Sequence, residues 1–277
     1  MKSIDINSLN SQELYRLLTS AVTPRPIALV STKDNNGESN LSPFSFFNIF
    51  SVTPPILVFS PVNRISNNTK KDTLNNIIQN KECVIALVNK NIAQQVSLSS
   101  SNYDSNIDEF KKAGFTKENA SIIDGDLIKE APVNFECKVN QIIELGKEGG
   151  AGNLVICEIL KIHLDEKILD DENKIDPLKL DIISRLGLSW YGKTTPESLF
   201  EIAKPIAKIG IGFDNLPEEI LNSSVLTGHE LAMLASVDAI PTTKNKESLT
   251  LKIEEKHILA KKMLDQGRII EAWEILI

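Results

Sequence analysis

The chain has 277 residues, 42% apolar and 24% charged, the profile of a globular protein with one large domain or one domain plus an appendage. Lys and Arg number 30 against 37 Asp and Glu, a net charge of −7, which offers no general attraction to nucleic acid or to an anionic membrane. The N-terminus lacks the apolar stretch of a signal peptide and no apolar run is long enough to span a bilayer, so a cytoplasmic location is expected.

Residues 11–20, SQELYRLLTS, predict a helix capped at Ser11 with Leu14, Leu17 and Leu18 on its inner face. PIALVST (26–32) reads as a buried strand, and KDNNGES (33–39) carries the Asn-Gly signature of a hairpin turn. The next segment, NLSPFSFFN (Asn40 to Asn48), follows neither strand alternation nor helical spacing and looks like backbone laid against something flat. PPILVFS (54–60) and CVIALVN (83–89) are further buried strands. Between them KDTLNNIIQN predicts a helix with Asp72 as cap and Leu74, Ile77 and Ile78 inward.

A polar stretch follows, with a short helical segment at 108–114. VNFECKVNQIIEL (133–145) and NLVICEILKIHLD (153–165) both alternate and are joined by GKEGGAG, which predicts an antiparallel pair. Short strands, a hairpin and few intervening helices favour a mainly β fold, a β-barrel with flanking helices, over a doubly wound parallel sheet. Beyond about Tyr191 the spacing turns helical. The expected organisation is a β-rich domain over 1–195 and a C-terminal helical extension over 196–277, either a packing or dimerisation appendage or a protein-binding surface.

Several motifs fail. GHELAM has Met233 where a zinc protease needs its second histidine, and GIGFDN lacks the third glycine of a dinucleotide fingerprint. Cys83, Cys137 and Cys157 sit in separate apolar runs without a CxxC pair, so they read as buried hydrophobes; no metal site and no disulfide is expected.

Seven segments, TPRPIALVST, NLSPFSFFN, SVTPPILVFS, KKDTLNNI, DEFKKAGFT, APVNFECKV and RLGLSWY, occur in an order and spacing that resembles the flavin reductase-like family over residues 10–191. The resemblance implies an FMN-binding split barrel with six antiparallel strands. It implies a homodimer with the flavin near the subunit interface, and either NAD(P)H-dependent flavin reduction for a partner oxygenase or flavoredoxin-like electron carriage. A third reading is a flavin-binding protein that acts through its helical tail. NADH or NADPH would be a transient co-substrate.

The resemblance places NLSPFSFFN against the flavin, with Asn40, Leu41, Ser42, Ser45 and Asn48 as polar or backbone contacts. Phe44, Phe46 and Phe47 would be wall or core, Phe44 and Phe46 sharing a strand face. Arg64, Lys71, Asp72 and Thr73 belong to the expected phosphate end, where a helix start offers unpaired amides, and Ser60 is a further expected flavin contact. Arg185, with Tyr191 beside it, matches a family arginine and would touch flavin or partner subunit, or pair with an acid. His163 is a second candidate for chemistry, near a nicotinamide or simply a satisfied structural histidine; Arg25 is a ligand contact or a structural ion pair. Two departures stand out: KK lacks the glycine that relatives often place before the lysine, and Leu188 stands where relatives carry a glycine.

Overall fold

From the N-terminus the chain forms α1 (Ser11–Ala21), β1 (Arg25–Pro26), β2 (Ala28–Lys33), β3 (Ser39–Phe44), β4 (Phe47–Val52) and β5 (Pro55–Phe59). Then come α2 (Asp72–Asn80), β6 (Glu82–Leu87), α3 (Ala93–Ser99), α4 (Glu109–Ala113), β7 (Lys117–Asn119) and β8 (Asp126–Ile128). The long strands β9 (Val133–Glu144) and β10 (Asn153–Leu164) are followed by α5 (Pro177–Leu180), β11 (Ile183–Arg185) and β12 (Tyr191–Lys193). Among the described residues four helices lie further on: α6 (Glu218–Leu221), α7 (Gly228–Ala235), α8 (Ile253–Leu264) and α9 (Ile269–Leu276). This computed structural model describes residues 1–202, 209–242 and 250–277, which divide into two units, Met1–Leu199 and Phe200–Ile277. Among the described residues no helix is long and apolar enough to cross a membrane.

The strands that showed no alternation, β2 and β6, are covered on both faces. Ala28, Val30, Cys83 and Ile85 point into one cluster with Leu57 and Phe59 of β5, Cys137 and Val139 of β9, and Val155 and Cys157 of β10. Leu29, Val84 and Ala86 point the opposite way, into a second cluster closed by Val96 of α3 and Phe110 of α4. Successive residues of a strand face opposite sides, so two cores demand a continuous apolar run. Each fully buried Phe, Leu, Ile or Val contributes roughly 1.5–3 kcal/mol, which makes these clusters the main source of the barrel's stability.

The main sheet is antiparallel with the order β3-β2-β6-β9-β10-β5-β4. Its two outer strands, β3 and β4, are consecutive in sequence and separated only by Ser45 and Phe46. Two residues cannot bridge a flat seven-stranded sheet, so the sheet curls until its edges meet. The expectation of six strands differs from the observed seven only because one segment bends at Ser45–Phe46 and is counted on both sides of the bend. Pro43 is tolerated because β3 is an edge strand, paired with β2 alone.

Some expectations need correction. Helix α1 is capped by Asn10, whose side chain accepts from the amides of Gln12 and Glu13, not by Ser11. Leu17 and Leu18 are exposed rather than inward. In α2 the cap position falls on Lys71, which makes no side-chain cap, and Asp72 is the first helical residue. Ile78 is exposed, whereas Asn76 is buried and donates to Thr32 Oγ1 at 3.1 Å. A polar residue took the inner position because the adjacent strand offers it an acceptor.

The second unit has its own core, built from Leu216, Ile220, Leu231, Leu234, Ala260, Leu264 and Trp273. Gly267 sits at φ +74° between α8 and α9, a left-handed turn that glycine takes without steric cost. Where helix was expected near 194–210, Pro196–Ser198 form a single 3₁₀ turn; the helical spacing over 203–208 and 246–249 lies outside the described residues. Trp273 is fully buried and its Nε1–H donates to the Leu234 carbonyl at 3.0 Å. Trp273→Ala should therefore cost this unit about 3–5 kcal/mol in urea unfolding followed by circular dichroism, and Trp273→Phe distinctly less; equal stabilities would show that the indole does not hold this core.

Candidate functional site

The bend at Ser45–Phe46 organises a cleft. Phe44 turns inward, its ring 5.3 Å from that of Phe59, while Phe46 turns out against Tyr15 of α1 at 6.3 Å. Phe44 and Phe46 do not share a strand face as expected, because β3 ends at Phe44. Pro43, Phe44 and Ser45 are left as a ridge with hollows along it. One hollow of about 300 Å³ is walled by these residues with Tyr15, Ser97, Ser100, Arg185 and Tyr191. A second, of about 120 Å³, lies between the same ridge, Phe46, Ser60 and Lys71. A narrow crevice then continues past Lys71 to Asn40, Ser42, Arg64, Asp72, Thr73 and Glu109.

Lys71 lies where the second hollow meets the crevice. Its Nζ is 5.3 Å from the centroid of the Phe44 ring and has no ion-pair or hydrogen-bond partner among the described residues. Burial, and then the charge of Arg64, push its pKa down; Asp72 pulls the other way. An ammonium that is partly desolvated without a partner is costly, so this end of the cleft favours an anion. The amides of Asp72 and Thr73 open a nine-residue helix and have no acceptor among the described residues.

The neighbouring polar groups are already engaged. Arg64 donates to Thr69 Oγ1 at 3.1 Å and to the Lys70 carbonyl at 2.6 Å, and lies 3.6 Å from Asp72, so it pins the loop to the helix start. Thr73 donates to Asn40 at 2.7 Å, and Asn40 donates to Glu109 at 3.1 Å. Burial raises the pKa of Glu109, while the Leu41 amide and Asn40 support its charged form. This chain ties α2 and α4 to β3 and fixes the crevice wall.

At the other end, Arg185 stacks over the Tyr191 ring, 4.4 Å from its centroid, and donates to the Leu188 carbonyl. Leu188 holds φ +44°, the left-handed conformation that a glycine would adopt without strain. Arg25 pairs in register with Arg185; it is buried, donates to the Thr19 and Val22 carbonyls, and makes no ion pair among the described residues.

Of the residues expected at the site, the structure brings together Asn40, Ser42, Phe44, Ser45, Phe46, Ser60, Arg64, Lys71, Asp72, Thr73 and Arg185. Three do not line it. Leu41 is buried in the second core cluster, Phe47 packs against the first, and Asn48 is exposed with its side chain turned to the Ile49 amide. His163 is not among the lining residues either; its Nε2 is 2.7 Å from Glu136. Sequence reasoning missed Tyr15, the serines of 97–102 and Glu109. The run SLSSSN lies in the polar stretch, and its placement over the last turn of α3 and the residues just beyond makes it a wall.

The flavin reductase like domain matches residues 20–182, more than half of the chain. The chain belongs to the flavin reductase like family. A relative from Aquifex aeolicus, itself uncharacterized, is 33% identical over 71% of this chain and 98% of its own length. Nitrilotriacetate monooxygenase component B from Bacillus cereus is 29% identical with a TM-score of 0.68, covering 73% of this chain and 98% of that one. The 2-nitrobenzoate 2-nitroreductase NbaA from Pseudomonas fluorescens is 30% identical with a TM-score of 0.65, covering 76% of this chain and all of that one. The first unit is thus the split barrel of the flavin reductase like family, while Arg185, Tyr191 and the whole second unit lie beyond the matched residues.

Within this family member, the Glu136–His163 pair is structural in its contacts. Glu136 is fully buried and accepts from the Ser121 amide and hydroxyl, the Ile122 and Ile123 amides and His163. Burial alone would raise its pKa, but the hydrogen bonds from Ser121, His163 and Ile122 outweigh it and lower it to about 2. A depressed carboxylate stabilises the fold above its unfolded pKa of about 4.3, and this is lost as pH falls toward 2; the shift corresponds to about 3 kcal/mol. Glu136→Gln should lower the unfolding free energy at pH 7 by about that amount and flatten its decline between about pH 4 and 2. A variant that keeps the wild-type acid profile in urea titrations would show the carboxylate to be unimportant.

Proposed function

We propose that the first unit binds FMN along this cleft and is an NAD(P)H:flavin oxidoreductase. The observation that carries the reading is Lys71, an ammonium without an ion-pair partner among the described residues, at the start of α2 whose first two amides also lack acceptors, next to the Pro43–Ser45 ridge. Lys71 and the Asp72 and Thr73 amides suit a terminal phosphate. The ridge of Pro43, Phe44 and Ser45, faced by Tyr15, suits an isoalloxazine. The hydroxyls of Ser45 and Ser97 have no partner among the described residues and fit the polar edges of such a ring. When bound, FMN would supply the redox chemistry, taking a hydride at N5 from NADH or NADPH and passing the electron pair to a partner oxygenase or another acceptor.

For that transfer the chain's residues need donate no proton. Their part is to hold the phosphate, fix the plane of the ring and leave one face open to the reductant. The 300 Å³ hollow beside the ridge leaves that opening, with Arg185 and Tyr191 at its far side. The test is the visible spectrum of the FMN-loaded protein with NADH or NADPH added without oxygen. Bleaching supports the proposal. Bleaching by dithionite alone would make the protein an electron carrier, and failure to bind FMN would overturn the reading.

Lys71→Ala should weaken FMN binding by about 1.5–3 kcal/mol, the worth of a charge-assisted hydrogen bond. A fluorescence titration with unchanged affinity would remove Lys71 from the site.

We also infer that a second copy of the chain covers β4. This strand exposes Ile49, Phe50 and Val52 at 58%, 68% and 79%, and a contiguous apolar patch left open to water invites association. Phe50→Asp should shift the protein from dimer to monomer in analytical ultracentrifugation; a wild-type chain that sediments as a monomer at micromolar concentration would rule the interface out.

A further inference from the structure

We propose that a second groove, adjoining the flavin cleft, holds the diphosphate and adenosine half of the nicotinamide dinucleotide. The inference rests on the reductase reading above. The groove has a volume of about 350 Å³ and shares two walls, Ser97 and Tyr191, with the hollow beside the ridge. Tyr191 is the partition: its ring carries Arg185, which lines the cleft, and it also lines the groove.

Local structure brings two lysines to this groove. A bridge between Asn89 and Ile182, with the Lys90 amide donating to the Asp181 carbonyl at 3.1 Å, sets Lys90 beside the β11–β12 ribbon. In that ribbon Lys193 stands directly opposite Ile183. Gln94 and Ser97, three apart on α3, present neighbouring side chains to the groove, as helical geometry requires. The result is a hollow with two cations, a carboxamide and an apolar wall of Ala93 and Ile183.

Its electrostatics are those of an anion site. No acidic residue lines it among the described residues, in a chain whose net charge is −7, and both lysines are exposed at its rim. Neither Lys90 nor Lys193 has an ion-pair partner among the described residues; only Glu197, exposed, has its carboxyl pKa lowered by the charge of Lys193, after its own hydrogen bonds. By contrast, the crevice at the phosphate end already sets Asp72 and Glu109 against its cations. Size adds a second argument. The cleft hollow of about 300 Å³ stands at the small end of ligand pockets and has room for one ring, not for a whole dinucleotide. The remainder of a bound dinucleotide has to leave over the Ser97–Tyr191 wall, where Lys90 and Lys193 meet its phosphates with charge-assisted hydrogen bonds and Ile183 offers the adenine an apolar contact.

ADP-ribose carries the diphosphate and adenosine without the nicotinamide, so it probes the groove by itself. Titrated calorimetrically into the FMN-loaded protein, it should bind about tenfold or more weakly to Lys90→Gln/Lys193→Gln than to wild type. FMN affinity should not change, and steady-state kinetics should show a raised KM for the dinucleotide with kcat kept. A control, Lys2→Gln/Lys167→Gln, lowers the net charge equally and should bind ADP-ribose as wild type does. Equal ADP-ribose affinity in wild type and the groove variant, or an equal loss in the control, overturns the proposal. The same titration on flavin-free protein separates the two readings. ADP-ribose binding that depends on the lysines supports the groove even where FMN fails to bind. A protein that binds FMN and oxidises NADH, yet is indifferent to both substitutions, refutes the groove alone.

Discussion

The structure depends on one constraint: the chain must pass from one edge of the main sheet to the other in the two residues Ser45 and Phe46. That demand curls the sheet into a barrel. It also breaks the ladder, and the break is bridged where the Ser60 amide donates to the Phe46 carbonyl at 2.8 Å. With Phe44 drawn into the core and Phe46 thrown out against Tyr15, the backbone of Pro43 to Ser45 is left facing outward. The ridge that walls the cleft is therefore a consequence of closing the barrel. A cleft wall formed this way is held by the core itself, which makes it rigid.

Charge is distributed along the cleft by the same logic of compensation. The buried acid of the crevice wall, Glu109, is met by the Leu41 amide and the Asn40 carboxamide. The arginine at the loop before α2 is tied to carbonyl and carboxylate groups. Lys71 is left without such a partner, and its pKa is lowered by burial and by Arg64. A desolvated ammonium without an ion-pair partner is costly, and that cost is what makes this end of the cleft favour an anion.

The fold was legible where one physical signal dominated. Alternation in β9 and β10 predicts their antiparallel pairing, and the unbroken apolar runs of β2 and β6 announce two-sided burial. The bend at Ser45–Phe46 gave a signal too, since NLSPFSFFN fits neither period; what it could not show was that its two halves lie on opposite edges of one sheet. Helix faces were less readable. Leu17, Leu18 and Ile78 have the right spacing for burial and are exposed, because spacing reports which residues share a face and not what covers it. In the candidate site, family resemblance pointed to Lys71 and Phe44, which the structure places along one cleft. The site was not legible at Glu109, which joins the cleft through a bond to the Leu41 amide 68 residues away, or at the serines at the end of α3 and just beyond it.

The second unit follows different rules. Its helices α7, α8 and α9 are short, and helices of this length are marginal alone, so they stand by shared burial around Trp273 and Leu234. The Trp273–Leu234 hydrogen bond satisfies the indole and occupies a carbonyl near the end of α7, one of those that helix geometry leaves without a partner. His257 is tied in the same way, its Nδ1 2.8 Å from the Ser223 hydroxyl, which itself accepts from the amides of Val225 and Leu226. Burial lowers the pKa of His257. What resembles a catalytic Ser–His pair in isolation is thus a hydrogen-bond clasp between the loop after α6 and helix α8, and its logic is that of a core that satisfies every polar group it encloses.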